Sequence, residues 1–228
     1  MTTTPSLPLI AGFALSLCLM ASAAALSEEA APKGGEPDAS AMAEQEKEQE
    51  SIAKDLSPTL KPIYDLGDDK KGPRIKVDAW VDQKNLNYKV GDTITVYASP
   101  KKDAFITILN VGSSGRVAVI YPNHYQREQK VEGKTTVRIP SKDAKWTINV
   151  GGPAGVDLIK VIASKAPLTL KELESLGATD DKNPVITLGR SADDAVKDLS
   201  PQLKPETGTE EEPSFGVRNI LVKVKKKE

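Results

Sequence analysis

Residues 85–123 write three β-strands and their turns without interruption, and this stretch constrains the fold more than any other part of the chain. Ile94, Val96 and Ala98 alternate with Thr93, Thr95 and Tyr97, the period of two expected of a strand with one buried face. Residues 104–111 are nearly all apolar, as in a strand covered on both sides. Gly112, Ser113, Ser114 and Gly115 then provide a tight reversal into the strand 117–121, because glycine tolerates the positive φ that hairpin turns require.

The same period recurs outside this run. Ile75, Val77, Ala79 and Val81 alternate with Lys76, Asp78, Trp80 and Asp82, and further strands are predicted at 135–139, 146–150, 156–164 and 217–225. Short strands separated by turn residues, with too little helix for crossovers, predict an all-β fold: an antiparallel immunoglobulin-like β-sandwich with short peripheral helices. The sandwich core is placed at 74–168 and the final strand with a lysine-rich tail at 215–228. Between them, 169–214 reads as a polar insertion with two short helices. One is announced by the capping box of Thr169 and Glu172 and stopped by Gly177, the other by Ser191 ahead of Asp193 and Asp194.

Before Glu28 the chain has no charged side chain, and the apolar run 9–20 ends in Ala21, Ser22, Ala23, Ala24 and Ala25. This predicts a secretory signal peptide at 1–25, helical and cleaved after Ala25, and hence a periplasmic or secreted protein. The rival is an uncleaved membrane anchor. Cys18, the single cysteine, lies in that run, so cleavage leaves a mature chain with no thiol, disulfide or cysteine metal ligand. Residues 26–73 read as an acidic, largely disordered leader with a helix at 44–56 that Pro58 ends. The chain also contains an internal echo: KDLSPTLKP at 54–62 and KDLSPQLKP at 197–205, two helix ends or two docking segments for one partner.

Tyr88, Gly91 and Asp92 before a strand, the 105–111 strand, Gly115 in its hairpin and Tyr121, Pro122, Asn123 at a strand end resemble a bacterial domain of unknown function, number 4384. Ile139 with Pro140, then Gly152, Pro153 and Gly155 leading into 159–164, extend the likeness over 75–167. The resemblance implies an envelope or secreted module, of a kind sometimes attached to caspase-like peptidases, kinase-like proteins or secretion lipoproteins. It carries over no catalytic residue.

The residues themselves argue against most site chemistries. His124 is the only histidine, and zinc sites combine several nitrogen or sulfur ligands. Asp65, Asp68 and Asp69 lack the spacing of a calcium loop, and 151–155 lacks the lysine of a phosphate loop and precedes a strand. Ser113 and Ser114 have no arranged base. Aromatic residues are too few for a nucleic-acid stacking platform. No catalytic, metal or cofactor site is therefore predicted. What remains is surface: Trp80, Tyr97, Tyr121, Pro122, Asn123, His124 and Tyr125 are the candidate partner-binding residues, on a sheet edge or the loop 122–133. The expected function is a non-enzymatic interaction or assembly module binding an unidentified envelope protein, without nucleic acid and without stable membrane insertion. The alternatives are a hydrolase accessory using His124 and nearby carboxylates, or a periplasmic small-ligand carrier.

Overall fold

The computed structural model describes residues 39–67, 74–168, 173–175, 178–180, 183–188, 191–200 and 215–227. The signal peptide with Cys18, residues 26–38, Asp68 and Asp69, the capping box of Thr169 and Glu172, and 201–205 of the second repeat lie outside the described residues.

The protein is mostly β-strand, in antiparallel and mixed sheets, with a few short helices. Strands β1 (Val77–Val81), β4 (Val96–Pro100) and β8 (Val137–Ile139) form a three-stranded antiparallel sheet in the order β1-β4-β8. On β1 the predicted alternation holds: Val77, Ala79 and Val81 are buried and Asp78 and Trp80 are half-buried on the other face. A larger sheet runs β11-β12-β6-β5-β10-β13-β2, from β11 (Ala178–Asp180), β12 (Asn183–Thr187), β6 (Val117–Tyr121), β5 (Ala104–Val111), β10 (Gly155–Ser164), β13 (Phe215–Lys225) and β2 (Asn87–Lys89). A further short pair joins β3 (Thr93–Ile94) to β9 (Ile148–Asn149).

Two strands carry the core. β5, read as covered on both faces, has six of its eight residues buried. β10 lies between β5 and β13, pairs with both over most of its length, and is buried from Asp157 to Ser164. Apolar side chains from both large sheets belong to one hydrophobic cluster, in which each fully buried Leu or Ile contributes about 2 kcal/mol. The chain's far end completes the sheet, as expected, and β13 begins two residues earlier than its alternation suggests.

Four sequence expectations are corrected. The large sheet is mixed, because β2 runs parallel to β13, pairing Lys223 with Asn87 and Lys225 with Lys89. These strands lie far apart in sequence, so no hairpin dictates their direction. Next, the insertion contributes strands as well as helix: β12 pairs with β6 and β11 with β12. They are too short, and interrupted by Pro184, to write a period. The helix α3 (Ala192–Leu199) does form where Ser191 announces it, with the Ser191 hydroxyl accepting from the Asp194 N–H. Thirdly, the helix placed at 44–56 runs instead over Ala39–Ala53 as α1, well short of Pro58. Lastly, the leader is folded from residue 39: α2 (Lys61–Asp65) follows, and Ile52, Leu60, Ile63 and Leu66 join the core.

α2, which starts at the end of the first repeat, packs against α3, whose last turn begins the second. Leu60 of the first copy and Leu199 of the second are fully buried, so these leucines serve packing and are closed to a partner.

Candidate functional site

The loop carrying most of the candidate residues is an excursion from a single line of strand. β6 and the short β7 (Lys130–Val131) both pair with β5: Tyr121 lies opposite Ile108 and Lys130 opposite Phe105. Two residues of β5 thus face eight residues, 122–129, which the ladder cannot accommodate and ejects.

Asn123 gives this excursion its shape. Its side chain is fully buried; Nδ2 donates to the Ile120 carbonyl at 2.7 Å, and Oδ1 accepts from the N–H groups of Tyr125 and Gln126, each at 2.9 Å. An Asx-type turn of this kind supplies locally the backbone partners that the strand has lost. Gln126 extends the brace by accepting the Ser141 N–H, and Gln129 donates to the Leu168 carbonyl at 2.8 Å. Tyr121 is fully buried, its hydroxyl pushed up to about 12 by burial and the nearby Glu128, and Pro122, joined through a cis bond, is buried too. Tyr121, Pro122 and Asn123 are therefore core and brace, not contact surface, which corrects their assignment as partner-binding residues.

The brace presents His124 and Tyr125. Tyr125 is 57% exposed, the large apolar side chain most available to a partner among the described residues, and its ring lies 6.4 Å from that of Trp146 at a tilt of 30°. Trp146 is half-buried against the core, a firm base for a projecting ring. Sequence reading placed Trp146 in a strand and missed this pairing; β9 begins only at Ile148, and no spacing rule links positions so far apart. His124 Nε2 lies 3.2 Å from Glu174 Oε1, a contact that brings the insertion against the loop.

Trp80 and Tyr97 stand elsewhere, on the outer face of the three-stranded sheet. They are cross-strand partners whose rings stack at 5.4 Å and 6°, and Arg138 follows Tyr97 in register on β8. The Arg138 guanidinium donates to the Pro140 carbonyl and to Thr95 Oγ1. Each aromatic ring spends one face on the other, so the pair is a sheet-stabilising contact of about 1 kcal/mol rather than an open platform.

A third polar cluster holds the predicted hairpin. Asp157, buried on β10, accepts the Ser113 N–H at 2.8 Å, while the Ser113 hydroxyl donates to the Pro153 carbonyl; Gly115 takes φ +80°, as the turn requires. Burial lifts the Asp157 carboxyl from its ordinary 3.8 to about 6, the Ser113 bond opposing the rise. A carboxyl whose folded value is raised binds its proton more tightly in the folded state, so the fold gains stability as pH falls from above 6 towards 3.8 and loses it again as pH rises. Asp157→Asn keeps the acceptor and removes the charge. It is expected to raise stability by about 1–2 kcal/mol at pH 8 and by almost nothing at pH 4 in urea denaturation; an equal effect at both pH values would refute this.

No cluster of three metal-ligating side chains occurs among the described residues, and no helix among them is long and apolar enough to cross a membrane. An open surface hollow of about 360 Å³ is lined by Lys89, Val90, Gly91, Asp92 and Lys227. Residues 87–167 match the model of a family described as a domain of unknown function (DUF4384), which bears out the resemblance read over 75–167 for all but its first twelve residues. Comparison with curated proteins and with solved structures found no match.

Proposed function

We propose that this protein is an exported, non-enzymatic interaction or assembly module of the bacterial cell envelope, an immunoglobulin-like sandwich that binds a protein partner through the loop 122–133. The observation that carries the reading is Tyr125: a largely exposed ring, seated on Trp146, on a turn whose conformation is fixed from below by buried Asn123. An aromatic anchor on a preformed turn loses little conformational entropy on binding, and such residues dominate protein interfaces. The small-residue end of the apolar N-terminal run supports export.

Replacing Tyr125 by a photoreactive phenylalanine analogue and irradiating intact cells is expected to yield one discrete adduct. Affinity of the purified chain for the protein so identified should fall at least thirtyfold on Tyr125→Ala, about 2 kcal/mol. Diffuse labelling, or unchanged affinity, would remove the reading.

The hydrolase-accessory alternative draws on one observation, the His124–Glu174 contact, in which a carboxylate orients an imidazole. Among the described residues no hydroxyl hydrogen-bonds to that ring. Loss of an envelope-hydrolysing activity in His124→Ala, with the fold intact, would favour it.

A further inference from the structure

β1 and β13 meet at one end and separate along their length. Where they meet, the Ile75 N–H donates to the Phe215 carbonyl at 3.0 Å. From there, odd-numbered residues of both strands aim their backbone groups into the seam between them, since Asp82 bonds β4's neighbour Thr95 and Lys223 bonds Leu86. No strand among the described residues fills the seam. α1 lies in it and satisfies both edges with side-chain amides one helical turn apart.

Gln45 serves β1: Nε2 donates to the Val81 carbonyl at 2.9 Å and the Gln83 carbonyl at 3.1 Å, and Oε1 accepts the Val81 N–H. Gln49 serves β13, accepting the Leu221 N–H at 2.7 Å and donating to the Leu221 carbonyl at 3.3 Å. Each amide thereby reproduces the donor–acceptor pair that one residue of a neighbouring strand would offer. The seam-facing groups of Val77, Ala79, Val217 and Asn219 make no hydrogen bond with another described residue. The helix is also held lightly by apolar contact. Ile52 is its one buried apolar side chain among 42–53, and a gap of about 10 Å³ bordered by Met42, Trp80 and Ile220 remains beneath it.

We infer that the seam between β1 and β13 is a strand-acceptor site, covered in the free protein by α1, whose occupant is an extended acidic segment of a partner protein. An extended chain carries backbone donors and acceptors on both sides, so it can pair both edges where α1 now serves them, at Val81 and Leu221. Its charge follows from what α1 now supplies: Glu46 pairs with Arg218 at 2.7 Å and Glu48 with Lys223, and an occupant displacing α1 must replace these carboxylates. The site lies apart from Tyr125, so it extends the interaction reading without depending on that loop.

The test compares the intact chain with Gln45→Ala/Gln49→Ala, using a fluorescent octapeptide alternating glutamate with valine. The double variant is expected to bind this peptide at least tenfold more tightly than the intact chain. Adding Arg218→Glu should abolish the gain. Hydrogen exchange at the Val81 and Leu221 amides should quicken in the double variant while the β5 and β10 amides stay protected, which also establishes that the variant is folded. Equal affinities, no binding by either protein, or preference for a lysine–valine octapeptide would overturn the inference, whatever happens to capture through Tyr125.

Discussion

Gly216→Ala is expected to destabilise the protein by about 3 kcal/mol or more, the largest single effect a one-carbon addition can have here. A Cβ at this position would lie 1.7 Å from the Ile75 carbonyl oxygen and 2.7 Å from its carbon. Both atoms are backbone, and the backbone is held: Ile75 is buried, and its N–H donates to Phe215 next door. No rotamer change relieves such a contact. The strands must separate where β1 leaves β13, losing that hydrogen bond and the packing of Ile75 and Phe215. Gly151→Ala is the matched control, since nothing lies within 4 Å of a Cβ there, and it should stay within about 0.5 kcal/mol of the parent. Urea denaturation of the two variants decides the matter, and equal midpoints would show that the crossing adapts.

That crossing marks the limit of what periodicity can show. The strands were legible because alternation is a local signal: β1, β4 and β5 each bury the residues that their own sequence nominates. The hairpin at Gly112 to Gly115 and the strand completing the sheet were legible for the same reason. The place of α1 was not. Its contacts run through two glutamine amides and two ion pairs, and a charged, alanine-rich segment with one buried apolar residue reads as solvated leader by composition. What orders it is a property of its neighbours, two strand edges that no strand among the described residues pairs.

The site divides in the same way. Tyr121, Pro122 and Asn123 stood out in sequence as part of the family likeness, and their place at a strand end suggested contact surface. Their burial shows the reverse relation: Asn123 meets backbone requirements created when eight residues are ejected opposite two, and few other side chains can do so. The residues a partner can reach are those the motif positions, His124 and Tyr125, together with Trp146, which only the folded chain brings near. β11 and β12 escaped notice because strands of three and five residues, the second carrying Pro184, are too short to write a period of their own.

Lys160 shows how a polar group can be part of the core's design, and its removal should carry the second large penalty. The side chain is fully buried in the central strand β10, and Nζ donates to Asn219 Oδ1 at 2.9 Å and to the Tyr64 carbonyl at 3.0 Å. Asn219 Nδ2 donates to that same carbonyl at 3.0 Å, closing a ring that ties β10, β13 and α2 together. Lys160→Ala empties the volume of the stem and leaves Asn219 Oδ1 buried without its donor, a combined cost of about 3 kcal/mol. Lys160→Met keeps most of the volume but still leaves Asn219 Oδ1 without its donor, so it should cost less than Ala, about 1–2 kcal/mol. The distinguishing readout is local: with α2 released, the Tyr64 amide, now bonded to the Leu60 carbonyl at 2.9 Å, should exchange faster in both variants than in the parent. Because α2 packs on α3, the loosening should spread to the α3 amides. If both variants prove as stable as the parent, or if α2 stays as protected as before, the ammonium is not what pins the leader to the sheet.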